Sequence, residues 1–333
     1  MSRGLDGFVA VMRPGLPESL LSTARCAEVS ALAARLPPGR GCILEFWLGR
    51  DGETPVDFQG YWEAGEGGAL AEAAPLESPA WDAARRLFAA WGGDESVHAG
   101  LWLEFDLRDP ALGSLTPRLG FARSGLDGYA GALESSFRLL SGRPLPREAR
   151  ATVERGLAAL RGGTIYGTGF APCPDYAPLR WCVKYPSLDE AFAFLERMEW
   201  RGDLAAARRL FPAADAGVAL NVDLGDGLGP KIGVEYPARG TRGLLDELAA
   251  RGLCRADEAE ALRAPDVLHR QSRHRGPWPE ALADMAALTG GESRLAQSLG
   301  HVKLVFQDGS LRAAKAYVYC VYAFRAVTGC TAG

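Results

Sequence analysis

Along the chain, short segments in which apolar and polar residues alternate occur in pairs, and stretches with helical periodicity separate the pairs. Two of the pairs are joined at Asp51-Gly52 and at Asp308-Gly309, dipeptides that favour tight turns between antiparallel strands. The pattern predicts five β-hairpins, at Cys42–Trp62, Leu101–Ala122, Thr164–Tyr185, Val218–Tyr236 and His301–Val321. A unit that recurs in this way indicates a fold built by repetition.

Ten strands in one open sheet would leave two edges without hydrogen-bond partners, and closing the sheet removes both edges. The sequence therefore predicts an α+β fold, a ten-stranded antiparallel β-barrel built from five αββα repeats with the helices packed outside. The helices are predicted at Glu18–Leu36, Ser78–Trp91, Tyr129–Ser141, Arg147–Leu160, Leu188–Met198, Leu204–Phe211, Arg242–Arg251, Ala256–Leu262 and Pro279–Leu288. No stretch is rich enough in Gly, Ser or Pro to act as a linker, so residues 1–333 are expected to form one domain.

Successive side chains of a strand point to opposite faces, and one face of the predicted strands is uniformly apolar. Leu44, Phe46 and Trp181 belong to this face, which we expect to pack against the helices. The other face then points into the barrel, and it carries charges of both signs, small residues and aromatic residues. Two interpretations without a ligand stay open: the charges pair and fill the barrel, or the two faces are assigned the wrong way round.

Basic residues and tyrosines recur on this inner face. They are Arg118, Arg180, Lys184, Lys231, Lys303, Lys315, Tyr317 and Tyr319. A set of cations like this suits a polyanion, most naturally a diphosphate, because a diphosphate accepts several charge-assisted hydrogen bonds at once.

The bulk properties exclude several classes of function. The formal net charge is −4 and no basic stripe is visible, which argues against a nucleic-acid partner. No apolar run is long enough to span a bilayer, and the first residues do not form a signal peptide, so we expect a cytoplasmic protein without a membrane partner. The seven cysteines include no C-x-x-C pair, and the glycine-rich segment 225–229 joins two strands, which indicates a hairpin turn and not a phosphate loop.

Repeated αββα units that close into a ten-stranded barrel resemble the ABBA-type (PT-barrel) aromatic prenyltransferases, which include the cyanobactin peptide prenyltransferases. The resemblance covers nearly the whole chain in architecture, but in sequence it consists of spaced strand motifs, here Arg180 with Lys184 and Lys315 with Tyr319. It implies that the inward basic residues and tyrosines bind a prenyl diphosphate and that Glu45 contacts the nucleophile of the acceptor. The expected reaction moves an allylic prenyl group to an aromatic small molecule or a peptide side chain inside the barrel.

Further roles follow if this expectation holds. Trp47, Trp102 and His301 are candidates to line the acceptor pocket, where aromatic rings would shield an allylic cation from water. For His301, a purely structural, hydrogen-bonded role is the alternative. Three carboxylates, Glu104, Asp106 and Asp223, are candidates to hold Mg²⁺ against the diphosphate, since this ion prefers oxygen ligands. No organic cofactor is expected, and a closed barrel without free edges favours a monomer.

Two other functions remain open at this point. The acidic residues of the inner face favour a binding or accessory protein of a natural-product (peptide) pathway, which would keep the barrel and lack the reaction. A hydrolase or transferase that uses the acidic group with a metal is the other option. A deep cavity in which Arg180, Lys184, Lys231 and Lys315 converge would favour prenyl transfer, and a barrel filled by paired charges would favour the binding protein. The stretch 263–278, with its basic cluster HRQSRHR, is expected to be a solvated loop; a lid or a grip for an acidic substrate is the alternative.

Overall fold

In the described part of the chain, eleven strands form one sheet, and ten of them close into a barrel. The computed structural model describes residues 4–63, 66–72, 79–91, 100–107, 118–122, 128–170, 179–239, 241–264, 266–288 and 291–322. The strands are β1 Gly41–Trp47, β2 Val56–Glu63, β3 Gly100–Phe105, β4 Arg118–Ala122, β5 Thr164–Phe170, β6 Leu179–Tyr185, β7 Val218–Gly225, β8 Gly227–Pro237, β9 Val267–Arg270, β10 Arg294–Gln307 and β11 Ser310–Tyr322. Each strand from β1 to β7 pairs with the next, β8 pairs with β10, and β11 pairs with both β10 and β1. The prediction of a closed, ten-stranded antiparallel barrel is confirmed.

The two strands of each hairpin meet at the same end of the barrel. Because neighbouring strands are antiparallel, β1, β3, β5, β7 and β10 all end at this end, and β2, β4, β6, β8 and β11 begin there. We call it the hairpin end, and the opposite end, where the helical segments connect the hairpins, the helix end. Trp47 paired with Lys315 marks the hairpin end, and Gly41 paired with Tyr61 and Val321 marks the helix end. Asp308 and Gly309 have positive φ angles of 51° and 73°, as a two-residue turn between antiparallel strands requires.

Eleven α-helices are described, and most of them agree with the prediction. They are α1 Asp6–Met12, α2 Thr23–Ala33, α3 Gly67–Glu72, α4 Pro79–Trp91, α5 Tyr129–Ser141, α6 Arg147–Ala159, α7 Leu188–Arg197, α8 Leu204–Leu210, α9 Thr241–Ala250, α10 Ala256–Leu262 and α11 Glu280–Leu288. The helix predicted at Glu18–Leu36 is shorter, because Ser22 caps it by accepting a hydrogen bond from the backbone N–H of Arg25. Among the described helices none is long and apolar enough to cross a membrane.

The helices cover the apolar face of the strands, which forms the core. Phe46, Trp181 and Phe306 are fully or almost fully buried there together with Phe8 of α1 and Phe192 of α7. The prediction of which strand face points outward is therefore confirmed, and the alternative of inverted faces is wrong.

The stretch 263–278 is not a plain loop, which corrects the prediction. It contains β9, which pairs with Arg294–Gln297 at the start of β10. Strand β10 begins earlier than predicted and extends past the end of β8, which pairs only with His301–Phe306, so the first residues of β10 offer an edge to which the Val-Leu-His-Arg segment can pair. The basic cluster is partly neutralised there, since Arg270 Nη1 lies 3.2 Å from Glu292 Oε2.

Candidate functional site

The lumen contains a cavity of about 180 Å³ at the hairpin end. Its lining consists of residues from seven strands and of Asp106, which follows β3: Trp47, Glu104, Asp106, Arg180, Asn221, Asp223, Lys231, Ile232, Gly233, Lys303, Val305 and Lys315. Strand alternation explains this set, because residues two apart on one strand, such as Asn221 and Asp223, face the same side. Four basic side chains therefore meet in one small space.

Arg180 and Lys231 share one carboxylate in this cavity. The Nε of Arg180 donates to Oδ1 of Asp223 at 2.7 Å, and Lys231 Nζ lies 3.7 Å from Oδ2 of the same side chain. Burial lowers the pKa of Arg180, but Asp223 and Glu104 outweigh this effect and raise it. The guanidinium is thus charged at every accessible pH, while the Lys231 side chain, 40% exposed, is held more loosely.

Lys315 is held by the carboxylate of Glu45. Lys315 donates a hydrogen bond to Oε1 of Glu45, and its Nζ lies 3.6 Å from the centre of the Trp47 ring. Gln59 donates to the other carboxylate oxygen, Oε2, at 3.2 Å. Burial raises the pKa of Glu45, but the nearby Lys315 and Lys303 outweigh burial and lower it, so the carboxylate is ionised. Glu45 is fully buried behind Lys315 and does not line the cavity itself.

Lys303 belongs to a polar network in the middle of the lumen. It donates to the side-chain oxygen of Asn221 at 2.6 Å, and the amide nitrogen of Asn221 donates to Glu235 at 2.9 Å. Tyr166 also donates a hydrogen bond to Glu235. Sequence analysis missed Tyr166, because a register shift between Ile165 and Gly167 interrupts the alternation in β5. A bulge of this kind has no clear signal in the residue pattern.

His301 lies between this network and the aromatic residues of β11. Its ring stacks on Tyr317 with 4.1 Å between ring centres, and its Nδ1 lies 3.3 Å from the hydroxyl of Tyr319. Its Nε2 is buried, with no hydrogen-bond partner among the described residues, and lies 3.8 Å from Glu235 Oε1. Burial lowers the pKa of His301, which keeps the imidazole neutral at neutral pH.

A second cavity of about 540 Å³ lies at the helix end. It is lined by Arg40, Tyr61, Glu63, Trp102, Met285, Tyr319, Val321 and Tyr322. The rings of Tyr61 and Trp102 stack with 4.4 Å between centres, and Trp102 meets Tyr319 edge-on at 6.1 Å. This end of the lumen is therefore mainly aromatic, and the hairpin end is mainly charged.

Solved structures share this architecture. The prenyltransferase PriB in its apo form aligns with a TM-score of 0.53 and 14% identity over 95% of this chain and 94% of that chain. A 6-dimethylallyl tryptophan synthase aligns at 0.51 with 12% identity over 96% and 95%, and PriB with its product diphosphate at 0.50 with 17% identity over 95% and 96%. The chain has the PT-barrel fold of the ABBA-type aromatic prenyltransferases. No protein-family model and no curated protein sequence matches it.

Of the six basic residues predicted for the lumen, the PT barrel brings four together in one cavity, including three of the four that were expected to converge. Arg180, Lys231 and Lys315 line the hairpin-end cavity, and Lys303 joins them. Lys184 lies outside this lining, is exposed, and has its Nζ 4.8 Å from the centre of the Tyr166 ring. The reason is that four residues along a strand displace Lys184 from Arg180 by about 13 Å toward the helix end. The backbone of Arg118 pairs with Glu104, but its side chain lies outside the described residues.

The two tryptophans predicted for one acceptor pocket lie in different cavities of the PT barrel, which corrects that prediction. Trp47 lines the hairpin-end cavity and Trp102 the helix-end cavity. Strand alternation indicates the face of a residue, but its height in the barrel depends on the register between strands. Tyr317 lines neither cavity, and Tyr319 lines the aromatic one.

The predicted metal ligands are only partly assembled in the PT barrel. Glu104, Asp106 and Asp223 line the hairpin-end cavity, but Asp223 forms ion pairs with Arg180 and Lys231. Within the described part of the chain, no three His, Cys, Asp or Glu residues are grouped closely enough to hold an ion. Magnesium often takes one or two carboxylates and completes its shell with substrate phosphate oxygens and water. The oxygen donors present fit that mode of binding, and the magnesium site stays a prediction.

Proposed function

We propose that this protein transfers an allylic prenyl group from a prenyl diphosphate to an aromatic acceptor inside the barrel, the acceptor being a small molecule or a peptide side chain. One observation carries the proposal: Arg180, Lys231, Lys303 and Lys315 converge on one cavity within a PT barrel. Preorganised cations at one end of a lumen whose other end is mainly aromatic are suited to stabilise the charge that develops on a leaving diphosphate.

The charge balance of the cavity bears on how the donor would bind. Its lining contains the four cations and three carboxylates, those of Glu104, Asp106 and Asp223. An excess of one positive charge is small for a diphosphate, so the carboxylates have to be screened or turned away. Mg²⁺ held by Glu104 or Asp106 and by the diphosphate oxygens would supply that screening and would also polarise the leaving group. We therefore expect donor binding to strengthen when Mg²⁺ is added.

The residues around the cavity define the chemistry that we propose. The bond between the allylic carbon and the diphosphate oxygen breaks, and its electron pair stays on the diphosphate, which the cations stabilise. Trp47 and the aromatic residues toward the helix end shield the allylic cation from water. An aromatic carbon or a heteroatom of the acceptor forms the new bond and then loses a proton.

Glu45 is the residue that we propose to take this proton. In the free protein Lys315 neutralises it. A diphosphate that draws Lys315 into the cavity would weaken this ion pair and raise the basicity of Glu45. The base would thus become active only once the donor is bound.

A thermal-shift titration tests donor binding. Dimethylallyl, geranyl and farnesyl S-thiolodiphosphates, each with and without Mg²⁺, would be added to the wild type and to Arg180→Gln and Lys231→Gln. We expect one analogue to raise the melting temperature and both variants to lose this effect. Arg312→Gln is the matched control, because Arg312 lies at the same end of the barrel, with a side chain 54% exposed that pairs with Asp308. Absence of a shift with every analogue in the folded protein would contradict the proposal.

A second candidate function rests on the ion pairs themselves. Arg180 with Asp223, Lys315 with Glu45 and Lys303 with Glu235 already satisfy much of the lumen charge, as a binding or accessory protein without prenyl transfer would require. Such a protein would bind an analogue without turnover or bind none. Incubation with dimethylallyl diphosphate and a panel of indoles and phenols, followed by mass spectrometry, separates the two functions, because only the enzyme adds a prenyl group to an acceptor.

A further inference from the structure

The helix-end cavity has the form of an aromatic cage. Its walls include Tyr61, Trp102, Tyr319 and Tyr322, and the stacked and edge-on contacts between the first three hold their rings in place. The faces of aromatic rings carry negative electrostatic potential, so a cavity with several rings attracts an ammonium or guanidinium group. At about 540 Å³ it is large enough for an aromatic molecule of the size of an indole with a side chain.

The lip of this cavity has the opposite charge character to the hairpin end. Arg40 Nε lies 3.1 Å from Oε1 of Glu66 and 3.4 Å from Oε2 of Glu63, and Glu63 is itself part of the lining. Among the described residues of this lip, two carboxylates therefore face one guanidinium. The excess of negative charge disfavours an anion and favours a ligand with a positive group, which the rings of the cage can also bind.

The two cavities are close enough for their ligands to react. On β3, Glu104 lines the hairpin-end cavity and Trp102 the helix-end cavity. Two residues along a strand correspond to about 7 Å, which is comparable to the length of one isoprene unit between them. A donor held at the hairpin end would thus point its prenyl chain toward a ring held at the helix end.

We propose that the helix-end cavity binds an aromatic ligand that carries a positively charged group, and that this ligand is the acceptor. The cation-binding site follows from the cage and its acidic lip alone, whereas its identification as the acceptor site rests on the proposed function. The substrate class is accordingly an indole or phenol with a free amine or guanidine and without a neighbouring carboxylate.

Three indoles of nearly equal shape test the charge preference. Tryptamine is a cation at neutral pH, tryptophol is neutral and indole-3-propionate is an anion. Calorimetric titration of each, alone and with dimethylallyl S-thiolodiphosphate present, gives their affinities. We expect tryptamine to bind about tenfold more tightly than tryptophol, as one cation–π site with a carboxylate lip would give, and indole-3-propionate to bind most weakly.

Variants of the lip and of the cage separate charge from shape. Glu63→Gln and Glu66→Gln should lower the affinity for tryptamine and leave that for tryptophol unchanged. Trp102→Leu should weaken both ligands, because it removes a ring face. Glu154→Gln on α6 is the control for the loss of an exposed carboxylate elsewhere. Equal affinities for the three indoles, or a preference for indole-3-propionate, would overturn the proposal.

Together with the thermal-shift titration of the thiolodiphosphates, these calorimetric titrations distinguish failure of this inference from failure of the proposed function. Tight binding of tryptamine without any stabilisation by the thiolodiphosphates would support the cation site and contradict prenyl transfer. Stabilisation by a thiolodiphosphate without a preference for tryptamine would overturn the cation site and leave prenyl transfer standing.

Discussion

The hairpin end of the barrel collects four cations in a cavity of about 180 Å³, whereas the helix end collects four aromatic rings in about 540 Å³. The same strands supply both ends. Strand β11 contributes Lys315 to the first cavity and Tyr319 to the second, and β3 contributes Glu104 and Trp102 in the same way. Position along a strand therefore sets the ligand chemistry. The two ends should respond to different substitutions, and four experiments examine that separation.

The largest effect is expected from Lys315→Met. The substitution leaves the carboxylate of Glu45, which is fully buried, without its cation, and breaking a buried ion pair in this way costs about 3–5 kcal/mol. Urea denaturation of the wild type and the variant measures the loss of unfolding free energy. The double variant Glu45→Gln/Lys315→Met should recover most of it, since no unpaired charge remains. A single variant as stable as the wild type would show that Glu45 is not held ionised by Lys315.

Arg180→Gln should act on the donor alone. Hydrogen bonds to charged groups contribute about 1.5–3 kcal/mol, so we expect the KM for the prenyl diphosphate to rise by about ten- to a hundredfold. Asp223 keeps Lys231 as a neighbour, which limits the loss of stability. Steady-state kinetics with each substrate varied in turn measure the effect. An equal rise in the KM of the acceptor would contradict the separation of the two ends.

Trp102→Leu should produce the opposite result at a smaller magnitude. Aromatic contacts contribute about 0.5–1.5 kcal/mol beyond their buried area, which corresponds to a rise of about two- to tenfold in the KM of the acceptor. The dissociation constant of the thiolodiphosphate should not change. If Trp102→Leu weakens the thiolodiphosphate as strongly as Arg180→Gln does, the two cavities form one site.

The smallest effect concerns pH and His301. Burial lowers the pKa of His301 in the folded protein, while an unfolded histidine titrates near about 6.5. The unfolded state therefore binds more protons below that pH, and stability falls as the pH is lowered from about 6.5 toward the folded value, by at most about 1.4 kcal/mol per unit. Unfolding free energies of the wild type and His301→Gln between pH 7.5 and pH 5 test this. A slope that is the same in both proteins would assign the pH dependence to other groups.

Much of the fold could be predicted from the sequence because the outward face of each strand is large and apolar. Residues such as Phe46 and Trp181 have to be buried, so only one assignment of the two strand faces agrees with the alternation. That assignment places the charged side chains in the lumen. The heights of the side chains were harder to predict. Trp47 and Trp102 share a face but not a cavity, since barrel register depends on all ten strands together.

Local irregularities account for the other differences. Tyr166 enters the lumen through a register shift that alternation does not indicate. Strand β9 pairs with the part of β10 that extends past the end of β8, which is a property of its partner and not of the segment 267–270 itself. The roles assigned to Glu45 and to the cations remain predictions from the sequence, and the experiments above are their test.

The pairing of β11 with β1 has a consequence for synthesis. Glu45 and Lys315, which meet across these strands, are 270 positions apart in the chain. During translation one edge of β1 and one edge of β8 stay unpaired until the hairpin of β10 and β11 has left the ribosome. Such delayed, non-local pairing makes folding slow and aggregation-prone. A message that ends before β10 would therefore yield an insoluble chain with two open edges and not a barrel that merely lacks a few binding residues.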